Sequence, residues 1–142
     1  MTSRTARGGE KEAARASFPL HEERPLCSPR EEVILRLLCR PLPSLAGEDP
    51  EALSRATGGQ IDPERCAELI RAVEIAALPG LGSWIARLMA ESGLSAEDLR
   101  RLSAAEVVAR IHLRTGYPVC NDATVEALAR MQREWRAMGG VG

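Results

Sequence analysis

Three short stretches carry the same helix-start grammar: Ser28-Pro29-Arg30-Glu31, Asp49-Pro50-Glu51 and Asp62-Pro63-Glu64. A Ser or Asp side chain at the N-cap accepts a hydrogen bond from an otherwise unpaired backbone N–H. Proline at the first helical position has no N–H to leave unpaired, and glutamate suits the positive end of the helix dipole. Each start is followed within a few turns by a breaker, so the chain can only fold as short helices. The first helix carries Val33, Ile34, Leu37 and Leu38 at helical spacing and is stopped by Pro41 and Pro43. The second ends near Thr57-Gly58, and the third places Cys66, Leu69, Ile70 and Val73 on one face. Leu78–Gly82 breaks the chain, and a helix resumes from Ser83 to about Ser92 with Ile85, Leu88 and Met89 apolar. Ser95 caps a short turn. Ser103 with Glu106 forms a capping box for a helix reaching Thr115-Gly116. Asn121 or Asp122 caps the last helix, whose stripe is Thr124, Leu128, Met131, Trp135 and Met138, and Gly139-Gly140 ends it. VVARI and YPV are too short for strands. The expectation is an all-α fold of six or seven short helices.

With 3% aromatic residues against 44% hydrophobic ones, the core must be aliphatic. A net charge of -1 gives no global attraction to nucleic acid or to an acidic membrane, so any polyanion site must be local. No stretch reaches the roughly 20 apolar residues of a membrane span, and no secretory leader is expected. Lys11 is the lone lysine among 19 basic residues, an arginine bias that suggests a GC-rich, bacterial coding sequence. Cys27, Cys39, Cys66 and Cys120, with His21 and His112, are scattered and lack the close ligand pairs of a zinc site. They read as small packed side chains in a reducing cytoplasm, and no metal or cofactor is expected.

Residues 1–27 read as a disordered tail, because MTSRTARGGEKEAARAS has too little apolar surface to fold and FPLHEERPL adds two prolines. Beyond it a weak internal repeat emerges. A shift of 54 lays Pro25 on Pro79, Leu45 on Leu99 and the Asp49 cap on the Ser103 cap. After a small insertion Thr57-Gly58 meets Thr115-Gly116. The chain then divides into a degenerate unit, 28–77, and a second unit, 78–142, in which PGLGS stands where the first has PLCSP.

LPGLGSWIA, from Leu78 to Ala86, is the candidate site. Pro79 ends one helix, about 62–77, Gly80 and Gly82 permit a reversal, and the next helix, about 83–92, starts at Ser83. Ala86 leaves room for the two helices to pack closely. Backbone N–H groups of Gly80, Leu81, Gly82 and Ser83 at a helix N-terminus would suit a phosphate oxygen, and the missing side chains would let it approach. Trp84 could stack on a base or pack internally. Arg87, with Arg100 and Arg101 across the fold, could clamp phosphates. From Leu78 onward there are eight arginines against seven acidic residues, so binding would be weak and salt-sensitive.

The h-P-G-h-G context with GxGxxxA resembles the helix-hairpin-helix signature over about Cys66 to Gly93. The longer block ALPGLGSWIARLMAESGLSAEDLRRLSAAEVVARIHLRTG is similar to small bacterial helix-hairpin-helix proteins described as pathogenicity locus proteins. That resemblance implies backbone contacts to DNA without sequence reading, through Pro79, Gly80, Leu81, Gly82, Ser83, Trp84 and Arg87. The strongest DNA binders of the family carry Lys or Arg after the second glycine, where this chain has Ser83 and Trp84.

Catalysis is not expected. DNA glycosylases share such a hairpin but need an Asp, often with a Lys, further downstream. Here Glu97, Asp98 and Glu106 sit in capping turns, and the lysine is in the tail. Nothing orients His112 toward Cys120 for thiol chemistry. The leading reading is a non-catalytic, sequence-independent DNA-binding module. The alternative is a helical protein-interaction domain with a structural hairpin, motivated by the near-neutral charge and by Trp84 and Trp135.

Overall fold

A computed structural model describes residues 19–139. Among them are seven α-helices, one 3₁₀ turn and no strand: α1 Pro29–Leu37, the 3₁₀ turn Leu42–Leu45, α2 Pro50–Ala56, α3 Pro63–Ala76, α4 Ser83–Glu91, α5 Ala96–Arg101, α6 Ala104–Thr115 and α7 Asp122–Gly139. Residues 1–18 of the expected tail, and Gly140 of the expected helix stop, lie outside the described residues.

The caps set these boundaries. Ser28 and Glu31 close a reciprocal capping box, and Asp49 and Asp62 accept from the N–H groups of Ala52 and Arg65. Ser95 does more than cap a turn: with Asp98 it closes a second capping box, opening α5. Ser103 accepts from the Glu106 N–H, but the Glu106 carboxylate turns to Arg110 one helical turn on, so only half of that expected box forms. Asn121 caps α7, its Oδ1 accepting from the Thr124 N–H at 2.8 Å. Gly116 takes φ 79° beyond α6, the left-handed stop that a TG turn implies.

The buried side chains form two clusters that share α3. Leu45, Leu53, Ile61, Cys66, Leu69, Ile70 and Val73 belong to one, with Ile34 and Leu35 from α1. Ala72 and Ile75 pass into the other, built from Ile85, Met89, Leu94, Leu99, Val107, Ile111, Leu128 and Trp135. The element order is similar across this division: helix, short element, capped helix, TG turn and long helix run from α1 to α3 and again from α4 to α7, the short element being a 3₁₀ turn in the first run and the helix α5 in the second.

Two packing faces differ from expectation. On α1 the buried positions are Glu31, Ile34 and Leu35, while Val33 and Leu37 are exposed, Leu37 at 79%. The helix is rotated because Arg65 on α3 holds the Glu31 carboxylate with two bonds, Nε to Oε2 at 2.7 Å and Nη2 to Oε1 at 3.0 Å. On α7 the stripe holds through Thr124, Leu128 and Trp135, but Met138 is exposed. The α3 and α4 faces match the reading, and Ala86, wholly buried, sits in the shared core with Ala72 and Ile75 of α3.

Candidate functional site: the glycine hairpin

The connection between α3 and α4 is a tight corner. Ala77 caps α3, Leu78 and Leu81 turn inward and are buried, and Gly82 is the N-cap of α4. Gly80 has φ 87°, a conformation that favours glycine. Gly82 has φ -79° and ψ 161°, which any residue can adopt. Its lack of a side chain serves space, and the space is filled. A Cβ there would collide with the backbone of residues 21 and 22, meeting the Glu22 carbonyl oxygen, the His21 carbonyl carbon at 2.6 Å and the Glu22 nitrogen at 2.8 Å.

Residues 19–25 lie along the corner as a strap. Pro19 is buried and Leu20 is 1% exposed within the second core cluster. The Gly82 N–H donates to the Leu20 carbonyl at 2.6 Å, and the Trp84 N–H to the Glu22 carbonyl at 3.1 Å. Alternate residues pair with alternate residues, as in a short stretch of ladder. Between them the Glu23 carboxylate accepts from both the N–H and the hydroxyl of Ser83, at 3.2 and 2.5 Å. The Arg24 N–H donates to Ser83 Oγ at 2.8 Å, and His21 Nδ1 sits 2.6 Å from the Gly80 carbonyl. The bonds from Ser83 hold the Glu23 carboxyl below the usual carboxylate range.

Of the expected donors, the N–H groups of Leu81, Gly82 and Ser83 are engaged within the chain. Gly82, Ser83 and Trp84 donate to the strap, and the Leu81 N–H closes a turn on the Leu78 carbonyl at 3.3 Å. Arg87, expected at a phosphate, pairs with Glu91 at 3.1 Å and reaches the Pro25 carbonyl at 3.4 Å. Trp84 is half-buried. The reason is electrostatic as well as steric: the N-terminus of α4 attracts an anionic oxygen, and Glu23 supplies one. The sequence reading missed Glu23 because its partner lies 60 residues away.

The pyrrolidine side of the corner is fixed by α7. Trp135, 1% exposed, donates its indole N–H to the Pro79 carbonyl at 3.0 Å. The next residue, Arg136, donates to the Arg100 carbonyl at 2.6 Å and the Leu102 carbonyl at 3.3 Å, at the end of α5. Arg100, Arg101, Arg136 and Glu97 line one open depression of about 460 Å³. Arg101 also pairs with Asp98 at 3.1 Å. Arg100 and Arg101 are the clamps expected from sequence; Arg136 joins them only because α7 packs on α5, which no local pattern announces.

Elsewhere the chemistry is quiet. His112 Nε2 accepts from the Cys120 backbone N–H at 3.0 Å, so the ring holds the chain and does not activate the thiol. Burial pushes the Cys120 thiol up to about 11, and burial also raises Cys27 and Cys66. Cys39 is exposed, unlike the other three. Among the described residues no three His, Cys, Asp or Glu side chains are grouped to hold a metal, and no helix is long and apolar enough to cross a membrane. No family model, curated protein or solved structure matches the chain.

Proposed function

We propose that the chain is a non-catalytic module that binds nucleic-acid backbone without reading sequence, with the α3–α4 corner acting as a helix-hairpin-helix. The observation that carries this reading is the arginine depression. Three guanidinium-bearing residues, Arg100, Arg101 and Arg136, surround one concave surface. Consecutive residues of α7, Trp135 and Arg136, tie that surface and the glycine corner to the same helix. Arginine forks suit phosphate geometry, and such contacts position a polyanion while carrying no sequence information. Glu97 in the depression and the overall charge of -1 keep the affinity low.

The test is fluorescence anisotropy with two unrelated duplexes at low and moderate salt. The expected result is similar affinity for both. Replacing Arg100 and Arg101 by alanine should weaken binding uniformly and lower the salt slope by about one for each phosphate no longer neutralised. Equal binding by wild type and the double variant, or no binding at low salt, refutes the reading.

A protein-docking reading has its own support in a groove between the end of the strap and α1. Pro25, Leu26, Leu35, Pro41, Leu42 and Pro43 are among the residues lining a mostly apolar groove of about 730 Å³. Exposed Leu37 lies on the same helix as Leu35. Retention of a Leu37→Asp-sensitive complex after nuclease treatment would favour that reading over nucleic acid.

A further inference from the structure

We infer that α1 docks antiparallel against α1 of a second copy of this chain, across Glu32 and Arg36 at the edge of the apolar groove. The second copy is then the occupant in the protein-docking reading, on which the dimer rests.

The two halves of the fold are in register, and the second shows what this face of α1 meets. α1 and α4 start 54 residues apart, at Pro29 and Ser83; so do the 3₁₀ turn and α5, at Leu42 and Ala96, and α2 and α6, at Pro50 and Ala104. Cys39 and Gly93, also 54 apart, both take positive φ, 54° and 84°. Burial agrees at Leu35 and Met89, Leu45 and Leu99, and Leu53 and Val107. The register breaks on one face. Ala86 and Ala90 of α4 are wholly buried, in the cluster that holds Ala72 and Ile75 of α3. α3 runs antiparallel to α4 there: Arg65, near the start of α3, lies 3.6 Å from Glu91 at the end of α4, and Arg71 donates to the Ala90 carbonyl at 2.8 Å. The matching residues of α1 are Glu32 and Arg36, whose side chains are 58% and 72% exposed. Among the described residues no α-helix other than α1 lines the groove they share with Leu26, Cys27, Leu35 and Leu42.

Charge selects the occupant. An antiparallel helix on this face brings its first turn to Arg36 and Arg40 and its last turn to Glu32. It needs acid at its start and base at its end, and α1 itself has that order, with Glu32 in its first turn and Arg36 in its last. A two-fold axis across α1 sets Glu32 of each copy against Arg36 of the other, because each pairing in an isologous contact occurs twice. Within one copy these two side chains already pair at 2.8 Å, so the dimer closes them into a ring of alternating charge. In-register parallel helices would oppose like charges. The same approach covers Val33, which neighbours this line on the helix surface and is 51% exposed. A nine-residue helix and one groove make a small interface, of the kind that gives weak, transient association.

Sedimentation velocity of the full chain from roughly 5 to 500 μM, at low and moderate salt, is the test. Wild type should move toward the dimer across that range, and less so as salt rises. Glu32→Arg and Arg36→Glu should each weaken self-association by roughly tenfold or more, because like charges then meet twice. Mixed in equal amounts, the two variants should recover the association of wild type, since every facing pair is again opposite in sign. Circular dichroism establishes that each is folded, and Leu113→Asp, at an exposed position of α6, is the control that should change nothing. A wild type that is monomeric at the highest concentration in low salt overturns the dimer. So does a mixture no more associated than its components, or a single variant that associates as wild type does. A monomeric wild type that still forms the nuclease-resistant, Leu37→Asp-sensitive complex overturns the second copy and keeps the docking reading for another protein.

Discussion

Replacing Gly82 by alanine separates the two explanations for a bare residue at the corner. The backbone at Gly82, φ -79° and ψ 161°, is open to alanine, so no conformational strain is added. The cost is steric, because the new methyl group would overlap the His21–Glu22 peptide. These are backbone atoms, which cannot rotate away as a side chain would. The strap must shift, and the Gly82-to-Leu20 and Trp84-to-Glu22 bonds go with it. Each such bond contributes about 0.5–1.5 kcal/mol net. If the strap leaves entirely, Leu20 also loses its burial, about 1.5–3 kcal/mol. Alanine recovers about 0.4–1 kcal/mol by restricting the unfolded chain. With the strap gone the net loss is then about 1.5–5.5 kcal/mol, capped by the docking free energy of the strap where α3 and α4 stay folded without it.

Thermal denaturation should show a Tm lowered by several degrees, at roughly 4 °C per kcal/mol. The cap supplies the sharper test. Once Gly82→Ala has displaced the strap, Leu20→Ala has little left to remove, so the two should be strongly non-additive in a double-mutant cycle. Gly80→Ala is the contrast. Its φ of 87° is unfavourable for alanine, at about 1–2 kcal/mol, yet its Cβ would meet only the flexible end of Met131 at 3.3 Å. It should lower stability while leaving the Gly82 and Trp84 amides protected. Additive losses for Gly82→Ala and Leu20→Ala, or unchanged protection in Gly82→Ala, would refute the strap geometry.

Three further outcomes are expected. The bidentate Arg65 bond holds the Glu31 carboxyl below the usual carboxylate range, so its contribution is complete above about pH 4.5 and lost as pH falls through the lowered folded value. Glu31→Gln should cost about 1–3 kcal/mol at neutral pH in urea denaturation, less than a bare buried pair because Arg65 keeps Glu68 at 3.1 Å, and a gap from wild type that does not narrow in acid would contradict this. Cys39 follows α1 with φ 54°, the left-handed position at which helices prefer glycine, so Cys39→Gly should raise stability by about 0.5–1 kcal/mol; a lowered Tm would show the side chain contributes packing instead. Trp135→Phe keeps the buried ring but strands the Pro79 carbonyl, and should cost about 1–3 kcal/mol by denaturant titration; an unchanged midpoint would mean another donor replaces the indole.

What could be read from the sequence was what is decided within one or two turns. Ser28, Asp49, Asp62 and Ser103 act on N–H groups three residues ahead, so residue type and spacing suffice to place the helix starts. The α3 face was legible for the same reason: Cys66, Leu69, Ile70 and Val73 recur at the helical period with no competing charge. The α1 face was not, because periodicity ranks apolar residues and cannot know that Arg65, 34 residues on, will draw Glu31 inward and turn Leu37 out.

The glycine corner divides along the same line. Its turn is local and was legible; what it holds is not. PLHEERPL, residues 19–26, looks like a tail by composition, since two leucines among prolines and charges cannot drive folding alone. It becomes ordered because the corner offers what a tail lacks: donors at a helix N-terminus for Glu23, room over Gly82 for a peptide, and a core site for Leu20. Of these provisions the apolar one is the largest: burying Leu20 contributes about 1.5–3 kcal/mol, against about 0.5–1.5 kcal/mol for each hydrogen bond, so the core site and not the polar contacts does most to order the segment.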